Sequence, residues 1–242
     1  MEVGRVAQLW RYPVKSMQGE RLPSAHLGDG GMVGDRRWGV RSGERVLAGK
    51  RTPLLLEALA RTTAAGGLEV RLPGGACVVP GPAADEALSA WLGEAVHLDE
   101  ADPGRPASYE VPDVDDGTVR LVPCPPGSFQ DSRSSNLHVL AAVTAGDEDV
   151  RVYRPNVVLD ADVGRFGEDD WVGGVLTIGA AEVEVTKPCG RCALVVQPQP
   201  GIEADRSRLT SLRDRGSALG VLARVVTPGR VRVGDSVTLT PA

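Results

Sequence analysis

Two cysteines three residues apart stand in the run Pro188-Cys189-Gly190-Arg191-Cys192, with an arginine between them. A cysteine beside a cation at a strand end is placed like a reactive thiolate or a ligand for a soft metal, because positive charge favours the deprotonated sulfur. The same residues also read as small apolar side chains packed at the end of a strand, as free cysteine commonly is. A second chemical stretch is Lys15-Ser16, just after Tyr12-Pro13-Val14 and just before Gln18-Gly19. One charge and several donors at a turn can hold a phosphate, although an exposed lysine–serine turn is ordinary in itself. Asp35-Arg36-Arg37-Trp38 pairs two arginines at a strand start, which also suits a charged sheet edge. The polar run from Ser128 to Asn136, with Ser134 and Ser135 near its end, can donate to an anion or cap a helix. Arg154-Pro155-Asn156 stands directly before the apolar Val157-Val158-Leu159.

The elements that must position these residues are short. From Glu182 to Gly201 the alternation of Val183 and Val185 with Glu182 and Glu184 predicts a half-buried strand. A tight cysteine turn follows, then a second strand over Ala193–Val196 ended by Pro198 and Pro200. Strands are also expected over Val3–Tyr12, Leu68–Leu72, Cys77–Val79, Val119–Val122, Val157–Leu159, Val175–Ile178, Gly220–Val226 and Arg230–Leu239. Pro82–Leu92 is the clearest helix, with proline at its start, acids in its early turns and Leu88, Trp91 and Leu92 on one face. Leu54–Arg61 and Leu209–Arg213 read as shorter helices, and Cys77 reads as core. Residues 101–117 are rich in proline and aspartate and read as a linker or long loop. The expected organisation is therefore a first domain over 1–100, a linker over 101–117 and a second domain over 118–242. The fold class is mainly β with a few short helices, in barrel-like domains, because closure removes exposed edges.

Composition narrows the function classes. The chain has 242 residues and a formal net charge of -5, so no general nucleic-acid binding is expected. No apolar run is long enough for a membrane span, and none of the opening residues resembles a signal peptide. Four scattered cysteines do not make a disulfide scaffold. A cytoplasmic protein that does not engage a membrane is the expectation.

The ordered set Arg154-Pro155-Asn156, Phe166-x-Glu168-Asp169-x-Trp171, Ile178-Gly179 and Pro188-Cys189-Gly190-Arg191-Cys192 resembles the signature of a MOSC domain, the C-terminal domain of molybdenum cofactor sulfurases. The ending from Ala223 through Pro228-Gly229-Arg230-Val231-Arg232-Val233-Gly234-Asp235 to Val237 fits as well. The first half, with Tyr12-Pro13-Val14-Lys15-Ser16 and Asp35-Arg36-Arg37-Trp38, looks like the N-terminal β-barrel domain that precedes MOSC in the branch containing the mitochondrial amidoxime-reducing component.

That resemblance implies a pterin-based molybdenum cofactor. Cys192 would be the protein ligand to molybdenum and the catalytic residue. Lys15, Ser16, Arg36, Ser134, Ser135, Arg154, Asn156 and Arg191 would line the cofactor. Gly190 stands where the amidoxime-reducing relatives usually have serine, which removes one donor. The implied activity is reduction of N-hydroxylated small molecules. No ferredoxin-type cysteine spacing is present, so electrons would come from a separate ferredoxin-type or cytochrome-type partner. Two other functions use the same residues: a sulfur carrier or transferase working through a Cys192 persulfide, and a non-catalytic pterin-cofactor-binding protein.

Overall fold

The strand Glu2–Arg11 (β1) buries Val3, Val6 and Leu9, a spacing of three where a regular strand has two. Its pairing explains the spacing. The register against one neighbour shifts between Glu2 and Gly4, and against the other between Val6 and Gln8. Each bulge inserts a residue and flips the face that follows, so the inward side chains fall on every third position. Gly4 is required here: at φ +144° a Cβ would lie 2.1 Å from the Asp160 carbonyl oxygen.

The computed structural model describes residues 1–112, 118–132 and 134–242. Six further strands complete a closed barrel with β1: Leu137–Ala141 (β2), Val157–Ala161 (β3), Val175–Ile178 (β4), Ala181–Gly190 (β5), Ala218–Thr227 (β6) and Ser236–Thr240 (β7). Their order is β3-β2-β6-β5-β4-β7-β1, and β1 then pairs back onto β3. The pair β2–β3 is parallel and the other pairings are antiparallel. A parallel pair needs a crossover, supplied by the short helix Ala142–Ala145 and the 3-10 turn Val150–Val152. Leu9, Leu137, Val157, Leu176, Val183, Val221 and Val237 belong to one fully buried core.

The chain divides into two units that are not its two halves. One joins Met1–Arg11 and Arg21–Val33 to Ser134–Ala242 and contains the barrel. The other consists of Tyr12–Glu20 and Gly34–Arg133. It holds a five-stranded sheet, a three-stranded sheet and the helix Pro82–Leu92 (α1), over a core that includes Val14, Met17, Val40, Leu55 and Leu88. The mainly β fold class with few short helices matches the expectation, and α1 has the expected ends.

Several expectations differ. The first strand of the sequence belongs to the unit built largely from its last 109 residues, Ser134–Ala242. Ser108–Pro112, expected inside the linker, is a strand paired with Val119–Pro123, and residues 113–117 lie outside the described residues. Ala193–Val196 is a 3-10 helix with Val195 buried; its length of one turn leaves nothing to pair as a strand. Leu54–Arg61 splits into a 3-10 turn, Pro53–Glu57, and a strand, Leu59–Thr62. Cys77 is exposed on a two-residue edge strand.

The acidic motif is structural. Glu168 is fully buried and accepts a 2.6 Å hydrogen bond from the Thr144 hydroxyl. Trp171 joins the barrel core, and Asp169 pairs with Arg215. Burial pushes the Glu168 carboxyl above its ordinary pKa, against hydrogen bonds from Thr144 and backbone amides that lower it. A carboxyl raised in the folded state contributes stability fully present below its unfolded pKa and lost as pH rises through the folded one. Glu168→Gln should therefore remove part of the loss of stability that the wild type shows as pH climbs above about 4.5, read from urea midpoints across pH. Parallel curves for the two proteins would contradict this. Leu9→Ala should destabilise the barrel by about 2–5 kcal/mol, measured by urea unfolding, and an unchanged midpoint would show that β1 does not close it.

Candidate functional site

In the barrel unit the cysteine turn grows from the end of β5. The pairing of β5 with β6 shifts register between Pro188 and Gly190, and this bulge falls on Cys189. Cys189 is buried and Cys192 exposed. The Arg191 backbone amide donates to the Ser217 carbonyl at 2.7 Å, fixing the turn. The Arg191 guanidinium donates through Nη2 to Cys189 Sγ, through Nε to the Cys189 carbonyl at 3.1 Å and through Nη1 to the Tyr153 carbonyl at 2.8 Å. This corrects one expectation: the arginine assists Cys189, and Cys192 is the sulfur presented to solvent. Cys192 also caps the 3-10 helix Ala193–Val196, so its backbone is set by a hydrogen-bonded turn on one side and a helix on the other.

Tyr153 leads into Arg154-Pro155-Asn156. Arg154 is buried and has left-handed backbone at φ +54°. Asn156 works as a three-strand staple. Its Oδ1 accepts from the His138 amide at 3.2 Å, its Nδ2 donates to the Trp10 carbonyl at 3.2 Å, and its own amide donates to the His138 carbonyl at 2.8 Å. The staple joins β1, β2 and the start of β3, so Asn156 holds Arg154 in place. Ser134 is exposed and Ser135 buried. Thr186 Oγ1 donates its single proton to the Leu222 carbonyl at 2.9 Å, so the Ser135 hydroxyl is the donor in the 2.9 Å bond between the two. Ser135 therefore serves the barrel wall.

The second unit gathers cations. Lys15 and Arg36 sit on two segments laid side by side: the Arg36 amide donates to the Tyr12 carbonyl at 2.8 Å, and the Lys15 amide to the Trp38 carbonyl at 2.8 Å. Asp35, buried, accepts from the Tyr12 amide at 2.8 Å and pairs with the Arg36 guanidinium, which lies 4.6 Å from the Tyr12 ring centroid. Lys15 Nζ donates to the Phe129 carbonyl at 2.8 Å, pairs with Asp131 and lies 4.5 Å from the Tyr109 ring centroid. Burial works to raise the Asp131 carboxyl, but Lys15, by charge and hydrogen bond, with Arg36 and Lys50, carries it below the usual carboxylate range. Ser16 accepts from the Gly49 amide at 2.8 Å. Cys124, buried near Lys15, has its thiol pushed up by burial and is a neutral packing residue.

Five non-glycine residues have left-handed backbone: Ser16, Arg36, Arg154, Phe166 and Ser217. Three of them are residues singled out from the sequence for anion binding. Such backbone costs roughly 1–3 kcal/mol per residue and persists where surrounding structure over-determines it, most often at functional sites. Sequence reasoning missed Lys50, Tyr109 and Asp131, the partners that make the Lys15 environment. Asp131 lay inside the polar run with no spacing to set it apart, and Lys50 belongs to no motif. Among the described residues no group of three or more His, Cys, Asp or Glu side chains is placed to hold a metal. A metal here would have to bring most of its own donors, a condition that a single exposed thiolate and a cationic cluster fit.

Gly39 sets the Phe129 carbonyl. A Cβ on it would meet Val46 Cγ2 at 2.7 Å and the Phe129 ring at 3.0 Å, while the Phe129 amide donates to the Arg36 carbonyl at 3.0 Å. Gly39→Ala should displace Phe129 and lower the stability of this unit by about 1–3 kcal/mol. Proteolysis under native conditions would report it, and unchanged protection would mean the ring has room to move.

Comparison with known proteins agrees with these arrangements. Residues 132–238 match the family model of the MOSC domain, and residues 3–98 that of the MOSC N-terminal beta barrel domain. Mitochondrial amidoxime-reducing component 1 from Homo sapiens is 26% identical, aligned over 98% of this chain and 83% of its own length. The protein of the same name from Mus musculus gives the same identity and the same shares. Among solved structures, the YUAD protein from Bacillus subtilis aligns with 99% of this chain and 96% of its own at 12% identity and a TM-score of 0.44, too low to add to the argument. With the two family models covering its two parts in order, the chain is a MOSC-domain protein that carries the MOSC N-terminal beta barrel domain ahead of the MOSC domain.

Proposed function

We propose that this protein binds a pterin-based molybdenum cofactor and works as an oxidoreductase that removes oxygen from N-hydroxylated small molecules, R–NHOH + 2e⁻ + 2H⁺ giving R–NH₂ + H₂O. The relatives named for amidoxime reduction support the reaction class. The observation that carries the cofactor is the left-handed backbone at Ser16, Arg36 and Arg154. Each is a residue for which the sequence suggests an anion-holding role, and each is kept in a costly conformation by the hydrogen bonds around it.

When bound, the cofactor supplies the two-electron chemistry at a metal already carrying sulfur donors. The chain's residues do the rest. Cys192 offers a solvent-exposed sulfur as the protein ligand, on a turn fixed by Arg191. Arg191 keeps its guanidinium on Cys189 and Tyr153, so its part is to hold the turn's shape. Lys15 and Arg36 hold the anionic end, Asn156 positions Arg154, and Ser16 acts through the Gly49 amide. Ser134 is the exposed hydroxyl of its pair and the one available to the ligand; Ser135 supports it. The substrate is a small molecule, and a separate ferredoxin-type or cytochrome-type protein is the electron donor.

A sulfur-carrier function draws on the same exposed Cys192 thiol, since a persulfide must be reached by its acceptor. It leaves the Lys15–Arg36 cluster without a role. The decisive experiment is molybdenum and pterin content of the protein made in a cofactor-competent host, with turnover of a model amidoxime supplied with chemical reductant. Near-equimolar metal and pterin with turnover is expected, and Cys192→Ser should retain the fold, by circular dichroism, and lose turnover. Unchanged turnover in Cys192→Ser would remove the central claim; cyanide-labile sulfur with no metal or pterin would move the assignment to sulfur transfer.

A further inference from the structure

The loop Ala48–Thr52 is closed on itself, with the Arg51 and Thr52 amides donating to the Ala48 carbonyl at 2.8 and 2.9 Å. The Gly49 amide donates to Ser16 Oγ at 2.8 Å. Ser16 therefore anchors the loop that carries Lys50. Lys50 Nζ lies 4.9 Å from the centroid of Tyr109, the ring that also carries Lys15 at 4.5 Å. Two ammonium groups share one aromatic ring, and the only printed carboxylate partner of Lys15 is Asp131. The two ends of that pair differ sharply: the Lys15 side chain is 7% exposed and that of Asp131 73%.

We propose that Lys50 is a third cation for the phosphate end of the cofactor, and that Asp131 is a tethered carboxylate that occupies Lys15 until a phosphomonoester displaces it. The inference rests on the functional reading above and concerns one end of the same ligand. Lys15, Arg36 and Lys50 together face two carboxylates, Asp35 and Asp131. Asp35 is buried against Arg36 and the Tyr12 amide, so it stays. Asp131 can turn into water at little cost because most of its surface is already there. A phosphomonoester brings about -1.5 to -2 charges and three acceptor oxygens near neutral pH, against one charge on the carboxylate. It can therefore engage Lys15 and Lys50 at once, which Asp131, bonded to Lys15, does not do. The Phe129 carbonyl keeps Lys15 aimed in either state. The tether gives Asp131 a high effective concentration, so it sets a threshold against weak anions and keeps the Lys15 ammonium paired while the site lacks its ligand.

The test is calorimetric titration of inorganic phosphate into the full chain made in a host that cannot synthesise the pterin cofactor. Asp131→Asn should tighten phosphate by about tenfold and Lys50→Met weaken it by about tenfold, the scale of one charge-assisted hydrogen bond. Lys50→Arg should keep most of the affinity, and Arg51→Met, one residue along the loop, should match the wild type. Lys50→Met binding as tightly as wild type would overturn the role of Lys50. Unchanged or weaker binding by Asp131→Asn, or no saturable binding by either it or the wild type, would overturn the displacement. Protein loaded with cofactor should bind no phosphate here, and undiminished binding would overturn the link to the cofactor. A chain that never loads cofactor would defeat the functional reading while the phosphate titrations still decide the roles of Lys50 and Asp131.

Discussion

Barrel closure by β1 is the constraint from which the rest follows. A seven-stranded barrel assembled from residues beyond 136 lacks one wall until Glu2–Arg11 pairs with β3 on one side and β7 on the other. That pairing requires two bulges and a glycine that admits the Asp160 carbonyl, and it obliges the chain to leave the barrel unit and return to it twice. The segments that leave are the ones that carry Lys15, Ser16 and Arg36. In sequence these residues directly follow stretches that the barrel holds, so their anchoring inherits the barrel's stability.

Strain and support occur together. Ser16, Arg36 and Arg154 keep left-handed backbone because each is fastened by neighbours with other work: Gly49 on Ser16, Asp35 and Tyr12 around Arg36, Asn156 beside Arg154. Polar residues that sequence motifs mark as ligand contacts thus divide into those that present a group and those that hold another residue in place. Asn156, Ser135 and Arg191 are of the second kind by their hydrogen bonds; Cys192 and Lys15 are of the first. Preorganisation of this sort lowers the entropy to be lost on binding.

Much of this was legible in the sequence because the signals are local. Proline and acids at the start of α1, alternation in β5 and the cysteine turn each depend on a few adjacent residues. What escaped is non-local. The burial period of β1 comes from bulges set by its partners, so its own pattern reads only as loose alternation. Ala193–Val196 has the composition of a buried strand, but no strand lies beside it to pair with, and one turn of 3-10 helix satisfies its backbone instead. The contact between Lys15 and Asp131 joins residues 116 apart, and nothing in either neighbourhood announces the other. Lys50 becomes visible only once Tyr109 places it beside Lys15. The domain boundaries expected near residues 100 and 118 assumed that each domain is continuous, which a barrel borrowing its first strand is not.

That borrowed strand has a consequence during synthesis. Leu9 pairs with Val157 and Gly4 with Val237, partners that leave the ribosome long after them. Val3, Val6 and Leu9 must therefore wait, unpaired, while more than a hundred residues are made, and non-local pairings of this kind form slowly. The intervening residues 12–20 and 34–133 carry their own core and can settle first. Until translation nears its end, the nascent chain exposes an apolar strand edge suited to transient capture by a chaperone or to misassembly with a neighbouring chain.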